Sequence, residues 1–168
     1  GYNSETVKAW VRQAGYRRLV QPSKGFGVRA KDRPVSEWKC AKGCVRGREW
    51  VEGKPDKGTK TVNYDSNYWQ SQIAEGLKLP DDTRCAIVLP QGAGQNMVAD
   101  QLTAAKATRV SVPGRSILEW DDIPNADNHF GDCLKGCAVG GSMLGCLRPG
   151  ETKRKKKKKG RGRRVQYG

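Results

Sequence analysis

Asp127, His129 and Asp132 crowd into the stretch NADNHFGDCLKGCAVGG (125–141), and His129 is the only histidine in the chain. Carboxylates and an imidazole at this spacing are the residue types that hold a divalent cation or move a proton. The small, apolar residues that follow put Asp132 one turn into a packing helix. A charge there is costly unless it is capped, paired, solvated or bound to a metal. Asp127 stands where a helix N-cap belongs. Asp132 has two readings: a solvated first-turn acid, or a metal ligand pointing along a sheet surface toward the strand ends, where α/β folds place their sites. Helical spacing sets Asp132, Gly136, Val139 or Gly140, and Met143 on one face, and the two glycines would admit another backbone. His129 could assist a metal site or activate water, or serve as a hydrogen-bonding surface residue.

A second acidic candidate, Asp65, stands in TVNYDSNYWQS (61–71) at the end of a strand and the start of a helix. It is either a strand-end metal ligand or an Asx turn that opens the helix. Of the six cysteines, Cys40 and Cys44 are four apart, as are Cys133 and Cys137. Two such pairs could make a four-thiolate zinc site, but the spacing is wider than a C-x-x-C knuckle and the second pair shares a helix face with Leu134 and Ala138. Small packing residues are the other reading. With no secretory signal, reduced thiols are expected rather than a disulfide framework. No serine or cysteine nucleophile arrangement is visible.

These residues must be positioned by an alternation of helices and strands. Ser4 is a good N-cap, Glu5 follows it, and Val7, Trp10, Val11 and Ala14 recur at helical spacing before Gly15. A short strand is expected around 18–21. Residues 22–50 are Gly-rich and basic without a sustained period, so they read as a long ordered loop. Its Trp38 and Trp50 either pin it to the domain or meet DNA bases. A strand at 61–64 leads into a helix from Asn67 through Trp69, Ile73 and Leu77 that stops before Pro80. Further elements are a strand at 85–89, a short helix at 95–105, a hairpin from KATRVSV and RSILEW around Pro113 and Gly114, and a final helix at 127–146. Trp10 and Trp69 lie on apolar helix faces and are expected to be at least partly buried. The pattern is that of an α/β sheet with helices packed on it.

The chain has 168 residues, enough for one domain with a modest core, and carries a net charge of +15. Ten of its cations and no acid lie between 153 and 164, which leaves +5 for the rest. Lys153, Arg154, Lys155, Lys156, Lys157, Arg161, Arg163 and Arg164 belong to a tail, 149–168, expected to be disordered when unbound. Together with Lys24, Arg29, Lys31, Arg33 and Lys39 of the basic loop they are candidate phosphate contacts. No apolar run approaches the roughly 20 residues of a membrane span, and residues 1–10 are too polar for a signal peptide. A soluble, intracellular protein is expected.

The blocks GYNSETVKAWVRQAG, VQPSKGFGVRAKDRPVSEWK, VNYDSNYWQSQIAEGL, MVADQLTA and ADNHFGDCLKGCAVGGSM occur in consistent order over about residues 1–146. In combination they resemble the carboxy-terminal nuclease domain of the lambda-type large terminase subunit of tailed bacteriophages. The resemblance implies a ribonuclease H-like fold, a mixed central sheet with flanking helices. It implies an acidic cluster that binds two Mg or Mn ions and hydrolyses double-stranded DNA during genome packaging. The two ions would activate water and stabilise the leaving oxygen, and as hard cations they require several carboxylates. Asp132 matches the family's carboxylate on the final helix, with Asp127 and His129 as supporting catalytic candidates and Asp65 as a weaker metal candidate. The implied partners are a small terminase subunit and a portal, in the cytoplasm of a phage-infected or prophage-carrying bacterial host, with no membrane.

The family's other nuclease carboxylates lie on strands that precede the motif beginning here as GYNSE, and no Gly-x-x-x-x-Gly-Lys-Ser/Thr phosphate loop is present. The expectation is therefore an N-terminally truncated nuclease domain at 1–148, incomplete by itself, followed by the basic tail. The alternative is a noncatalytic, basic nucleic-acid-binding module.

Overall fold

A computed structural model describes residues 4–14, 20–89, 91–92 and 95–146. Helix α1 (Ser4–Gln13) carries Glu5 in its first turn and Arg12 in its last, the charge order that the helix dipole favours. It seats through Val11, which is 2 % exposed, and through Lys8 and Arg12, whose side chains reach Asp56 at 3.4 and 4.0 Å. This narrow footing turns Trp10 outward. At 58 % exposure it corrects the expectation of burial.

The central sheet is mixed: strands β1 (Ser23–Phe26), β2 (Arg46–Gly47), β3 (Trp50–Glu52) and β4 (Val62–Asp65) lie in the order β1-β4-β3-β2, with β1 parallel to β4 and the other pairs antiparallel. Strand alternation divides its buried residues between two faces. Trp50, Val62 and Tyr64 pack with Trp69 and Val139 from two helices, while Val51 packs with Val28, Val35 and Trp38 from the segment after β1. Residues 22–50 are thus not one loop. They contain β1, a turn of 3-10 helix (Val35–Glu37), β2 and the start of β3. Of the strand expected at 18–21, residues 18 and 19 lie outside the described residues and 20 and 21 are not strand; the strand observed is β1.

Two glycines permit this sheet. A Cβ on Gly25 would come within 3.0 Å of the Tyr64 ring on the neighbouring strand, and one on Gly47 would fall inside the Trp50 indole. Both aromatic side chains lie across the backbone of the strand beside them.

Helix α2 (Ser66–Lys78) buries Trp69, Ile73 and Gly76 and ends at Leu79, before Pro80. The run at 85–89 is not a strand. Cys85 is left-handed at φ 70°, and the Ile87 amide donates to the Gly76 carbonyl at 2.9 Å, which folds the segment over the end of α2. Ile87 finds its cover on Gly76 of this helix instead of in a sheet, and Val88 stays exposed. Helix α3 (Gln95–Leu102) precedes the hairpin β5 (Ala105–Val112) and β6 (Arg115–Asp122), which turns at Pro113 and Gly114 and forms a separate two-stranded sheet. Asn67, 5 % exposed, joins hairpin, helix and loop: its Oδ1 accepts from the Trp120 amide at 3.0 Å and its Nδ2 donates to the Val28 carbonyl at 3.1 Å.

Helix α4 (His129–Met143) lies within the expected 127–146 and sends Val139 into the core. Gly136 and Gly140 face open space, so the close approach expected there does not occur. At Gly131 the Gln101 carbonyl lies 3.8 Å from an added Cβ, an ordinary van der Waals contact. The described residues therefore form four helices, a mixed four-stranded sheet and a two-stranded sheet, an α/β architecture. None of these helices is long and apolar enough to cross a membrane. The tail at 149–168 lies outside the described residues.

Candidate carboxylates and a basic cleft

Asp132 is in the first turn of α4 with its side chain half exposed, and Lys135, one turn on, holds it at 2.7 Å. It lines an open cleft of about 1220 Å³ beside β1 and the start of α2, together with Tyr64, Trp120 and the cations Lys8, Lys24, Lys54 and Lys135. The Tyr64 phenol is pushed up to about 12, by burial first and then by the negative charge of Asp132. The phenol therefore stays protonated beside the carboxylate at neutral pH. His129 and Asp122 also line this cleft.

Asp127 is not the cap of α4. Asn128 holds that position with no side-chain cap bond, and Gln101 of α3 supplies the acceptor instead, its Oε1 taking the Phe130 amide at 3.0 Å. With Gln101 taking the Phe130 amide, Asp127 stays on the surface, where it comes within 3.8 Å of the exposed His129.

Asp65 is the cap of α2. Its Oδ1 accepts from the amides of Asn67 at 2.9 Å and Tyr68 at 3.3 Å, and the residue is 4 % exposed. Burial pushes its carboxyl up to about 7; the Glu49 charge adds to the rise, while the amides of Asn67 and Val28 and the Arg115 guanidinium oppose it. Asp65 opens onto a different cleft, of about 360 Å³, lined also by Glu49, Arg109 and Arg115. The two candidate metal ligands are therefore not brought together. Among the described residues no three His, Cys, Asp or Glu side chains are grouped closely enough to hold a metal ion. Two divalent ions, which need several converging carboxylates, do not fit this arrangement.

The cysteine pairs also stay apart from any four-thiolate geometry. Cys40 and Cys44 donate to the carbonyls of Cys44 and Gly53, whereas Cys133 and Cys137 are exposed on α4.

Of the loop cations, Lys24 alone lines the large cleft, with its ammonium 5.2 Å from the centre of the Phe26 ring. Arg29 pairs with Asp121 at 3.3 Å and Arg33 with Glu37 at 3.9 Å, while Lys31 and Lys39 are exposed elsewhere. The tail residues Lys153, Arg154, Lys155, Lys156, Lys157, Arg161, Arg163 and Arg164 lie outside the described residues. Trp38 and Trp50 serve as pins: Trp50 is 4 % exposed, and Trp38 packs on Val28, Val35 and Val51 and donates its Nε1 hydrogen to the Arg33 carbonyl at 3.0 Å. Lys8, Lys54 and Lys135 escape a reading of charge runs because they come from three separate elements. Lys8 and Lys135 have local signals, their i,i+3 spacings from Glu5 and Asp132, but nothing local joins them to one cleft. The chain matches no family model, no curated protein and no solved structure.

Proposed function

We propose that the chain belongs to a metal-dependent DNA endonuclease of the phage terminase large-subunit type, built on a ribonuclease H-like sheet. Its described residues contribute a DNA-holding cleft and one carboxylate of the acidic cluster, Asp132. The observation that supports this reading is the place of Asp132, on the first turn of the last described helix, at the wall of a cleft whose cations come from α1, β1, the segment after β3 and α4. Lysines so placed attract a phosphate backbone with little regard to base sequence. A phosphate that draws Lys135 away also releases Asp132 from its ion pair. On this reading the partners are double-stranded DNA, a small terminase subunit and a portal, within an infected or prophage-carrying bacterial cell.

A second reading, a noncatalytic basic nucleic-acid-binding module, is favoured by the Asp132–Lys135 pair and by the separation of Asp132 from Asp65. The two readings agree on binding and divide on chemistry. Duplex DNA binding and the nicking of supercoiled plasmid with Mg²⁺ or Mn²⁺ test them together. The 168-residue chain is expected to bind without nicking, and Asp132→Asn to bind more tightly because a negative charge leaves the cleft. Metal-dependent nicking that Asp132→Asn abolishes would refute the module, and with it the expectation that these residues are incomplete by themselves. Failure to bind DNA would overturn both.

A further inference from the structure

Cys40 and Cys44 bracket a tight turn on the approach to β2. The Cys44 amide donates to the Ala41 carbonyl at 3.0 Å, and Gly43 takes the left-handed conformation, φ 80°, that lets the chain double back. The Cys40 thiol is exposed and donates to the Cys44 carbonyl at 3.3 Å; the half-buried Cys44 thiol donates to the Gly53 carbonyl at 3.2 Å. Lys60 is anchored over this turn. Its ammonium donates to the Gly43 carbonyl at 2.7 Å and to Glu52 Oε2 at 2.7 Å.

Glu52, 7 % exposed, is an unusual place for a charge. Burial pushes its carboxyl up, but hydrogen bonds from Lys60, the Val45 amide and Gln21 prevail and leave it below the ordinary range. Lys60 in turn is raised above its ordinary value by the Glu52 hydrogen bond, against burial, and further by the charges of Glu52, Cys44 and Cys40. One ammonium is thus fixed on a carbonyl of the turn that separates two thiols four residues apart. The ammonium holds the backbone of the turn that joins the two thiols, so the loop that must close is already fixed.

We propose that Cys40 and Cys44 are a redox modification site, closing a reversible disulfide across this turn when the protein meets hydrogen peroxide. The exposed Cys40 thiolate attacks one peroxide oxygen; the O–O bond breaks, leaving a sulfenic acid on Cys40 and a hydroxide that takes a proton to become water. The Cys44 sulfur then attacks the Cys40 sulfur, the S–O bond breaks, and a second water leaves with the Cys44 proton. Two thiols lose two electrons and two protons, and one peroxide becomes two waters. The bridge tightens the segment that carries Lys39, Lys42 and Arg46, and a dithiol reductant reopens it.

Peptide mapping tests this on the reduced 168-residue protein after brief peroxide treatment and alkylation. Trypsin cuts after Lys39, Lys42 and Arg46, so the bridge joins Cys40-Ala41-Lys42 to Gly43-Cys44-Val45-Arg46. The joined species is two hydrogens lighter than the two peptides together and is released by dithiothreitol. It is expected to be the first disulfide formed, to vanish in Cys40→Ser, and to form several-fold more slowly in Lys60→Met than in Lys60→Arg. Recovery of Cys40 as an unjoined sulfinic acid, or joined to Cys85, Cys133, Cys137 or Cys146, would overturn the proposal. Equal rates in the two Lys60 variants would overturn the part given to the ammonium.

Discussion

Asp65→Asn separates the helix-capping role of this residue from its charge. The buried carboxyl titrates at about 7, against an ordinary value of 3.8. Between about pH 4 and pH 7 the folded protein holds a proton that the unfolded chain has lost, so each pH unit in that window favours unfolding. Stability from this group is full below about pH 4, falls as pH rises and is level above about pH 7. Roughly three units at about 1.4 kcal/mol each give a loss of about 4 kcal/mol across the window. Asparagine keeps an Oδ1 acceptor for the Asn67 and Tyr68 amides and cannot ionise, so the variant lacks this slope and is the more stable protein at pH 8. Urea unfolding followed by tryptophan fluorescence, with Trp50 and Trp69 both buried, measures it at half-unit steps from pH 4 to pH 8. The difference between the two proteins isolates Asp65 from every other titrating group. A difference that does not change with pH, or that grows in the opposite sense, refutes the reasoning.

Asn67→Ala strands the Trp120 amide and the Val28 carbonyl together and is expected to cost about 2 to 6 kcal/mol in urea unfolding, since each buried unpaired group costs about 1 to 3. Gly47→Ala drives a methyl group into the Trp50 indole and is expected to cost about 1 to 3 kcal/mol, read as a lower melting temperature. Deleting residues 153–164 is expected to flatten the salt dependence of DNA binding by about 4.5 in the slope of log K against log salt, if about five of its cations meet phosphates. An unchanged slope after the deletion would place the binding on the folded part alone.

The elements that were legible in the sequence are those whose period and ends agree. Helix α2 runs from an aspartate cap through Trp69 and Ile73 to a stop before Pro80, and the hairpin carries its own turn at Pro113 and Gly114. Strand β1 was not legible because SKGF has no apolar alternation; its place comes from parallel pairing with β4 and from the Tyr64 ring that Gly25 admits. The run at 85–89 misled for the opposite reason. A short apolar stretch suits a strand or a helix cover equally, and Ile87 chose the end of α2. Trp10 misled because an amphipathic pattern marks which residues share a face and says nothing of how wide a footing the domain offers that face.

At the candidate site, the position of Asp132 at the start of α4 was legible and its surroundings were not. Its Lys135 partner sat three residues away, but the cleft it faces is assembled from Lys8, Lys24 and Lys54 on other elements, which no local pattern joins. Asp65 illustrates the limit of a residue type as a signal. The same strand-end aspartate serves a metal ligand or a helix cap, and here two backbone amides on one oxygen make it the cap.

The proposed role of the cleft, holding a DNA backbone, is tested most directly by the salt dependence of duplex binding. Anisotropy titrations across a range of salt, on the 168-residue protein and on its Lys24→Gln, Lys54→Gln, Lys135→Gln triple variant, compare the number of phosphates neutralised. Three lost contacts at about 0.9 each reduce the slope of log K against log salt by about 2.7. A slope that stays the same in the triple variant would contradict this role and move DNA off the cleft.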